Sequence, residues 1–273
     1  WKRLLRSTIL IYVCLLIFAW FGSDRMIFQP PPPGYTDAGL EGIVKLTSGN
    51  GTVISALFLP QSDAVWTVLY HHANAVDLGD IRPFLDKLRT RLGVSVFAVE
   101  YQGYGTSAGR AGTRNAVADA EAALRYLVEQ IGVPLERIVV HGRSVGGGPA
   151  LAVASAHDVA GVIVESSFVS AFRVLTRVPV FPFDKFDNLA RIAELDCPAL
   201  VIHGTADRVI PFWHGRALFK RAPEPRQFCR LSGAGHNHIP PAAEDVYWAA
   251  LRRFFDSLGG VTGRQAVGVN QRL

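Results

Sequence analysis

Along most of the chain, short apolar runs rich in β-branched residues alternate with longer stretches whose apolar residues recur every three or four positions. The first pattern reads as buried strand, the second as amphipathic helix. Apolar runs at 43–46 and 53–59 flank Ser48-Gly49-Asn50-Gly51, which predicts an antiparallel hairpin at a sheet edge. Strand-like runs then follow at 65–70, 95–99, 137–140, 159–164, around Val201 and at 227–231. Helical patterns separate them at 81–92, 115–131, 145–156 and 212–221, and a last helix is expected at 242–258. This alternation predicts an α/β fold: a mostly parallel central sheet with helices on both faces and ligand sites beyond the carboxyl ends of the strands.

Four stretches break the alternation. Lys2, Arg3 and Arg6 precede an uncharged apolar run from Ser7 to Ser23, about as long as the shortest membrane-spanning helices. An uncleaved anchor over residues 1–28 is expected. A cleaved signal peptide would want small residues where Ala19-Trp20-Phe21-Gly22 stands, and a lipoprotein signal is poorly matched by Val13 before Cys14. The basic N-terminal flank then keeps the N-terminus in the cytoplasm and sends the domain across the membrane. Because the chain begins at Trp1, its natural start is expected upstream.

Pro30 to Pro33 and Gly34 predict an extended linker over 29–40, placing the globular domain at 41–258. Within it, residues 167–195 carry many aromatics, including Phe168, Phe172 and Phe181. They either cover the sheet or form a small cap whose apolar wall receives an acyl chain. The tail, 259–273, lacks an apolar period and is expected to be disordered.

Composition narrows the function. Hydrophobic residues make up 49% of the 273 and mean hydropathy is +0.21, which excludes a largely disordered chain. A net charge of +5 comes without an aromatic-interleaved basic stripe or zinc-finger spacing, so no nucleic-acid partner is expected; the excess suits an anionic membrane surface at most. Three cysteines make no disulfide framework, and free thiols are expected. Oligomeric state is not legible.

The candidate chemistry centres on Gly142-Arg143-Ser144-Val145-Gly146, a G-x-S-x-G sequence between a strand and a helix. A serine at so sharp a bend exposes its Oγ, and small neighbours leave it room. By itself the motif is also an ordinary strand-to-helix turn with a capping serine. Further on, a strand ends at Asp207 and another leads to Gly235-His236, the Ser, Asp, His order of α/β-hydrolases. Ser144 is therefore the candidate nucleophile, His236 its base and Asp207 the acid. His238 ranks second as base, Asp184 and Asp187 are weaker acids, and Asp207 could instead cap the next helix. Candidate oxyanion-hole donors are the N–H groups of Val145 and Asn74, the latter in His71-His72-Ala73-Asn74-Ala75. A metal cluster of His71, His72, His141 and His203 lacks ligand spacing, and no metal site is expected. Gly103-Tyr104-Gly105-Thr106-Ser107 lacks the lysine of a phosphate-binding loop and reads as a turn bordering the site.

Phe28-Gln29-Pro30, Asn74-Ala75-Val76-Asp77-Leu78-Gly79, Tyr101-Gln102-Gly103-Tyr104-Gly105-Thr106-Ser107, Gly142-Arg143-Ser144-Val145-Gly146-Gly147, His203-Gly204-Thr205-Ala206-Asp207 and Gly235-His236 together carry a family resemblance. The chain resembles the α/β-hydrolase domain-containing serine hydrolases, especially the membrane-anchored branch that includes lipid esterases and protein depalmitoylases. The resemblance implies a triad of Ser144, Asp207 and His236, no cofactor, and cleavage of esters or thioesters, often with lipid-like acyl groups. Two departures stand out. Ala73 replaces the glycine of the usual His-Gly-Asn and is expected to strain the oxyanion loop, and Glu100 replaces an aspartate. Other readings are a peptidase or amidase with the same triad, and a non-catalytic membrane-tethered scaffold.

Overall fold

The computed structural model describes residues 1–268, with side chains to Gly259. The elements run α1 (Lys2–Phe21), α2 (Asp24–Ile27), β1 (Ile43–Thr47), β2 (Val53–Leu59), β3 (Thr67–His71), α3 (Leu78–Leu92), β4 (Ser95–Val99) and α4 (Thr113–Tyr126). They continue with β5 (Ile138–Arg143), α5 (Gly147–Ala154), β6 (Gly161–Glu165), α6 (Arg173–Thr176), α7 (Asn188–Arg191), β7 (Ala199–Gly204), α8 (Trp213–Arg221), β8 (Arg226–Leu231) and α9 (Pro241–Gly268).

The eight strands form one sheet in the order β1-β2-β4-β3-β5-β6-β7-β8. The first two pairings in that order are antiparallel, as the hairpin signal predicts, and all others are parallel. Each central strand divides its side chains between two cores. Leu69, Val140, Val164 and Val201 pack with α4, α5 and α8, while Tyr70, Val139, Ile163 and Ile202 pack with α3 and α9. A strand buried on both faces has no polar side to show, which is why these segments read as continuous apolar runs. The chain leaves β3 toward β4 on one side and returns to β5 on the other. The crevice of this reversal lies between the ends of β3 and β5, where open α/β sheets bind ligands.

Helix α3 starts on a reciprocal cap, Asp77 accepting from the Asp80 N–H and Asp80 from the Asp77 N–H, and ends at Gly93 with φ +64°. Pro83 is accommodated near its start. At the other end of the chain, α9 continues through Gly259 and Gly260, where the sequence reading stops it. Glycine lowers helix propensity without forbidding it, and extending a long helix by one residue is far less costly than starting one. The tail expected to be disordered is thus helical in backbone through Gly268, and its last residues, 269–273, lie outside the described residues.

The proline-rich segment 29–40 is not a free spacer. Phe28 is buried against Tyr101 and Phe186, the Gln29 N–H donates to Asn74 Oδ1 at 2.9 Å, and the Gly34 N–H donates to Asp77 Oδ2. Proline has no N–H to donate, so attachment falls to the residues flanking the run. Helix α1 is long and apolar enough to cross a membrane, and a signal sequence would have the same character. Its side chains are exposed except Ala19, which is buried, and Leu16, which is partly covered.

Candidate active site

At the end of β5 the chain turns within a single residue. Ser144 has φ +54°, a left-handed conformation costly for any residue with a Cβ. The surrounding glycines are needed on contact grounds. A Cβ at Gly142 would strike the Gly146 carbonyl, and one at Gly146 would strike the carbonyls of His71 and His72. Packing of the following helical turn against the strand end therefore requires glycine at 142, and packing of the β3 loop against the elbow requires it at 146. A short turn, Ser144–Gly146, leads into α5, and the early N–H groups of such a helical start have no internal acceptor.

Ser144 Oγ lies 2.9 Å from His236 Nε2, and His236 Nδ1 lies 2.8 Å from Asp207 Oδ2. The three residues come from the ends of β5, β7 and β8, which the parallel register brings to one rim. The other oxygen of Asp207 accepts from the N–H groups of Val209 and Ile210 at 2.9 and 2.8 Å. Asp207 therefore caps the following turn, and not the next helix, whose N-cap is Phe212, while also facing the imidazole. Burial pushes the Asp207 carboxyl up, but hydrogen bonds from His236 and the Ile210 N–H outweigh it and hold it below the ordinary carboxylate range. His203 Nε2 lies 2.8 Å from the Ile210 carbonyl, so that nitrogen carries the proton; burial keeps this ring neutral by lowering its pKa.

The other acids and bases fall elsewhere. Asp184 accepts from Ser170 Oγ and the Phe172 N–H within the cap segment, Asp187 accepts from the Ala190 N–H at the start of α7, and His238 is exposed. His71 is fully buried, and loss of hydration lowers its pKa to about 3. Among the described residues no three His, Cys, Asp or Glu side chains form a metal-ligand set. All three cysteines are free thiols.

The Asn74 side chain knots the loop to its surroundings, Oδ1 accepting from the Gln29 and Ala75 N–H groups and from the Tyr104 hydroxyl while Nδ2 donates to the Ile27 carbonyl. Among the described residues its backbone N–H makes no hydrogen bond. The positive φ in this loop belongs to Ala75, at +57°, and not to Ala73, so the expected strain at the alanine substitution does not arise there. Glu100, fully buried, accepts from the Leu78 N–H and the Tyr35 hydroxyl, and its second oxygen lies 2.9 Å from His72 Nε2. It thereby joins the linker, the start of α3 and the loop after β3.

The three candidate pocket phenylalanines part company. Phe168 is buried in a cluster with Val145, Phe28, Phe186 and Ile210 beside the elbow. Phe172 and Phe181 stack edge to face at 5.3 Å, and both rings meet Phe183, which packs on Trp20 of α1 at 4.9 Å. They face the N-terminal helix, a partner some 150 positions distant that local pattern cannot reveal. Also missed was Glu165, a strand-end carboxylate joined to Arg143; an acidic residue closing an apolar strand was the available signal.

A serine at a strained strand-to-helix corner, joined to histidine and aspartate across the rim of this sheet, defines an α/β-hydrolase fold. The family model described as Peptidase_S9, prolyl oligopeptidase family, matches residues 87–258. Alpha/beta hydrolase domain-containing protein aho-3 of Caenorhabditis elegans is 32% identical over 271 residues, covering 89% of this chain and 81% of its own. Human alpha/beta hydrolase domain-containing protein 17B is 37% identical over 245 residues, covering 80% and 85%. An esterase of Pyrococcus furiosus superposes with a TM-score of 0.69 at 16% identity over 85% of this chain and 98% of its own, and an esterase domain from Rhodothermus marinus with 0.60 at 20% over 78% and 96%. The chain belongs to the α/β-hydrolase domain-containing protein family, and it is a serine hydrolase.

Proposed function

We propose that the protein is a membrane-anchored serine hydrolase that cleaves carboxylic esters or thioesters with apolar acyl chains through Ser144, His236 and Asp207. The observation that carries this reading is the unbroken relay of 2.9 and 2.8 Å from hydroxyl to imidazole to carboxylate. His236 takes the Ser144 proton as Oγ attacks the acyl carbonyl, and the N–H groups of Val145 and Asn74 receive the negative oxygen. Collapse expels the alcohol or thiol, which leaves with the proton from His236. Water then attacks the acyl carbon as His236 takes one of its protons; the bond to Ser144 Oγ breaks, Oγ takes that proton back from His236, and the acid is released. The resemblance to lipid esterases and depalmitoylases supports an acyl chain as the bound group, and the apolar residues Phe168, Val145 and Phe186 lie beside the elbow. Helix α1, with Lys2, Arg3 and Arg6 before its apolar stretch, supports an anchor with the domain on the non-cytoplasmic side.

A fluorophosphonate probe applied to detergent-purified protein should label the parent and not Ser144→Ala; equal labelling rejects this nucleophile. p-Nitrophenyl esters should be turned over with kcat/KM rising with acyl length. The prolyl oligopeptidase match favours a second reading, a peptidase with the same relay. Faster cleavage of aminoacyl anilides than of esters would establish it.

A further inference from the structure

We propose that Arg143 and Glu165 form a clamp that fixes the backbone carrying His236, making Arg143 a positioning residue for the reaction; the inference rests on the triad reading above. Arg143 and Glu165 are the last residues of β5 and β6 and stand opposite each other in the parallel register. Both side chains thus start from the rigid rim of the sheet, Arg143 one residue before Ser144 and Glu165 opposite Arg143 on β6. Glu165 is held on three sides, by His141 Nε2 at 3.1 Å, by the Tyr247 hydroxyl from α9 at 3.0 Å, and by Arg143 Nε at 3.3 Å.

Arg143 uses its remaining reach on the histidine loop. Its Nη2 donates to the His236 carbonyl at 2.8 Å and to Asn237 Oδ1 at 3.1 Å. Among the described residues, this is the one hydrogen bond made by the His236 backbone. The loop's other ties are at neighbouring residues: the Gly233 N–H to Thr205 Oγ1, the Ala206 N–H to the Ala234 carbonyl and the Gly235 N–H to the His238 carbonyl, each 2.9 Å, and the Ala234 N–H to the Leu231 carbonyl at 3.4 Å. Glycines at 233 and 235 leave the loop little stiffness of its own. A cavity of about 240 Å³ lined by Arg143, Glu165, His236 and His238 leaves the imidazole room to retreat.

A buried ion pair is a weak source of net stability, because desolvation offsets most of its attraction. What this pair supplies is geometry. The planar fork of arginine spans the Glu165 carboxylate and the His236 carbonyl at once, which a single ammonium cannot do in the same way. Displacement of a reacting group by about 1 Å costs on the order of 10²-fold in rate.

The test is the kinetics of Arg143→Ala, Arg143→Gln and Arg143→Lys beside the parent and Ser144→Ala, on the full chain in detergent, with a p-nitrophenyl ester and thermal unfolding midpoints. The expected result is a fall in kcat of about 10- to 100-fold in the Ala and Gln variants, with KM changed by no more than about two-fold. Lysine should recover only part of the loss. Methylguanidinium, admitted through the cavity, should raise kcat of Arg143→Ala and leave the parent unchanged. A folded Arg143→Ala or Arg143→Gln with kcat within about two-fold of the parent overturns the clamp, as does equal loss without guanidinium rescue or lysine recovery. Should the alanine variant not fold, the glutamine and lysine variants carry the same comparison. Turnover by Ser144→Ala equal to the parent rejects the triad itself, an outcome distinct from failure of the clamp.

Discussion

Replacing Asp207 with asparagine changes one atom and should nearly abolish turnover without unfolding the protein. The reason lies in which oxygen is already committed. Asp207 Oδ1 accepts two backbone N–H groups, from Val209 and Ile210, and Oδ2 faces His236 Nδ1 at 2.8 Å. In Asp207→Asn the two N–H groups hold the amide oxygen at the first position, so the amide NH₂ takes the second. Two donors cannot face each other, and His236 must move its proton from Nδ1 to Nε2, beside Ser144 Oγ. An imidazole in that tautomer cannot accept the serine proton. In serine hydrolases with this relay the same change costs about 10⁴ in kcat, which is about 5.5 kcal/mol of barrier. Stability should hardly change, because the turn keeps its acceptor. Asp207→Ala, by contrast, strands the buried Ile210 N–H at a cost of about 1–3 kcal/mol, while the N–H of exposed Val209 turns to water. Ester hydrolysis at saturating substrate, with unfolding midpoints for both variants, tests the argument. An Asp207→Asn protein keeping more than about a tenth of the parent kcat would refute it, since only about 1.4 kcal/mol would then have been lost.

Ser144→Gly should be inactive yet more stable than Ser144→Ala by about 1 kcal/mol, because glycine relieves the positive φ of +54° that alanine retains; equal midpoints in chemical denaturation would show that the elbow is not strained. Burial alone would raise the Glu165 carboxyl, but the His141 hydrogen bond, the Arg143 guanidinium and the Tyr247 hydroxyl bring it down to about 2. A carboxyl depressed on folding contributes stability that is present above its unfolded pKa, near 4.5, and lost as pH falls toward 2. The unfolding midpoint of the parent should therefore drop more steeply over that interval than that of Glu165→Gln, and parallel curves would contradict the assignment.

Much of this molecule was legible in one dimension because its information is local. Residues 95–99 are a strand in both readings, since Ser95-Val96-Phe97-Ala98-Val99 sends alternate side chains into two cores and so must be apolar on both. The elbow was legible for a similar reason: small residues at 142 and 146 are demanded by contacts from the helix that follows and the neighbouring strand. Asp207 and His236 were marked by their places just beyond strand ends.

Where the linker went was a different kind of question. Nothing about Pro30 to Pro33 says that Phe28 fills a gap beside Tyr101 and Phe186 or that Gly34 meets Asp77. The same holds for Phe172 and Phe181, aromatic enough to line a pocket but packed toward Trp20 through Phe183. Arg143 stood in plain view as the variable position of the serine motif, and its partners Glu165 and His236 lie 22 and 93 positions away. Periodicity reports which face of an element is buried, and turn chemistry reports where an element ends; both act over a few residues. Chain order alone therefore determined the layered fold, the corner serine and the candidates for its partners. Their 2.9 and 2.8 Å spacing, the clamp behind the histidine and the destinations of the aromatics were decided by strand register and packing, which join residues that no local pattern connects.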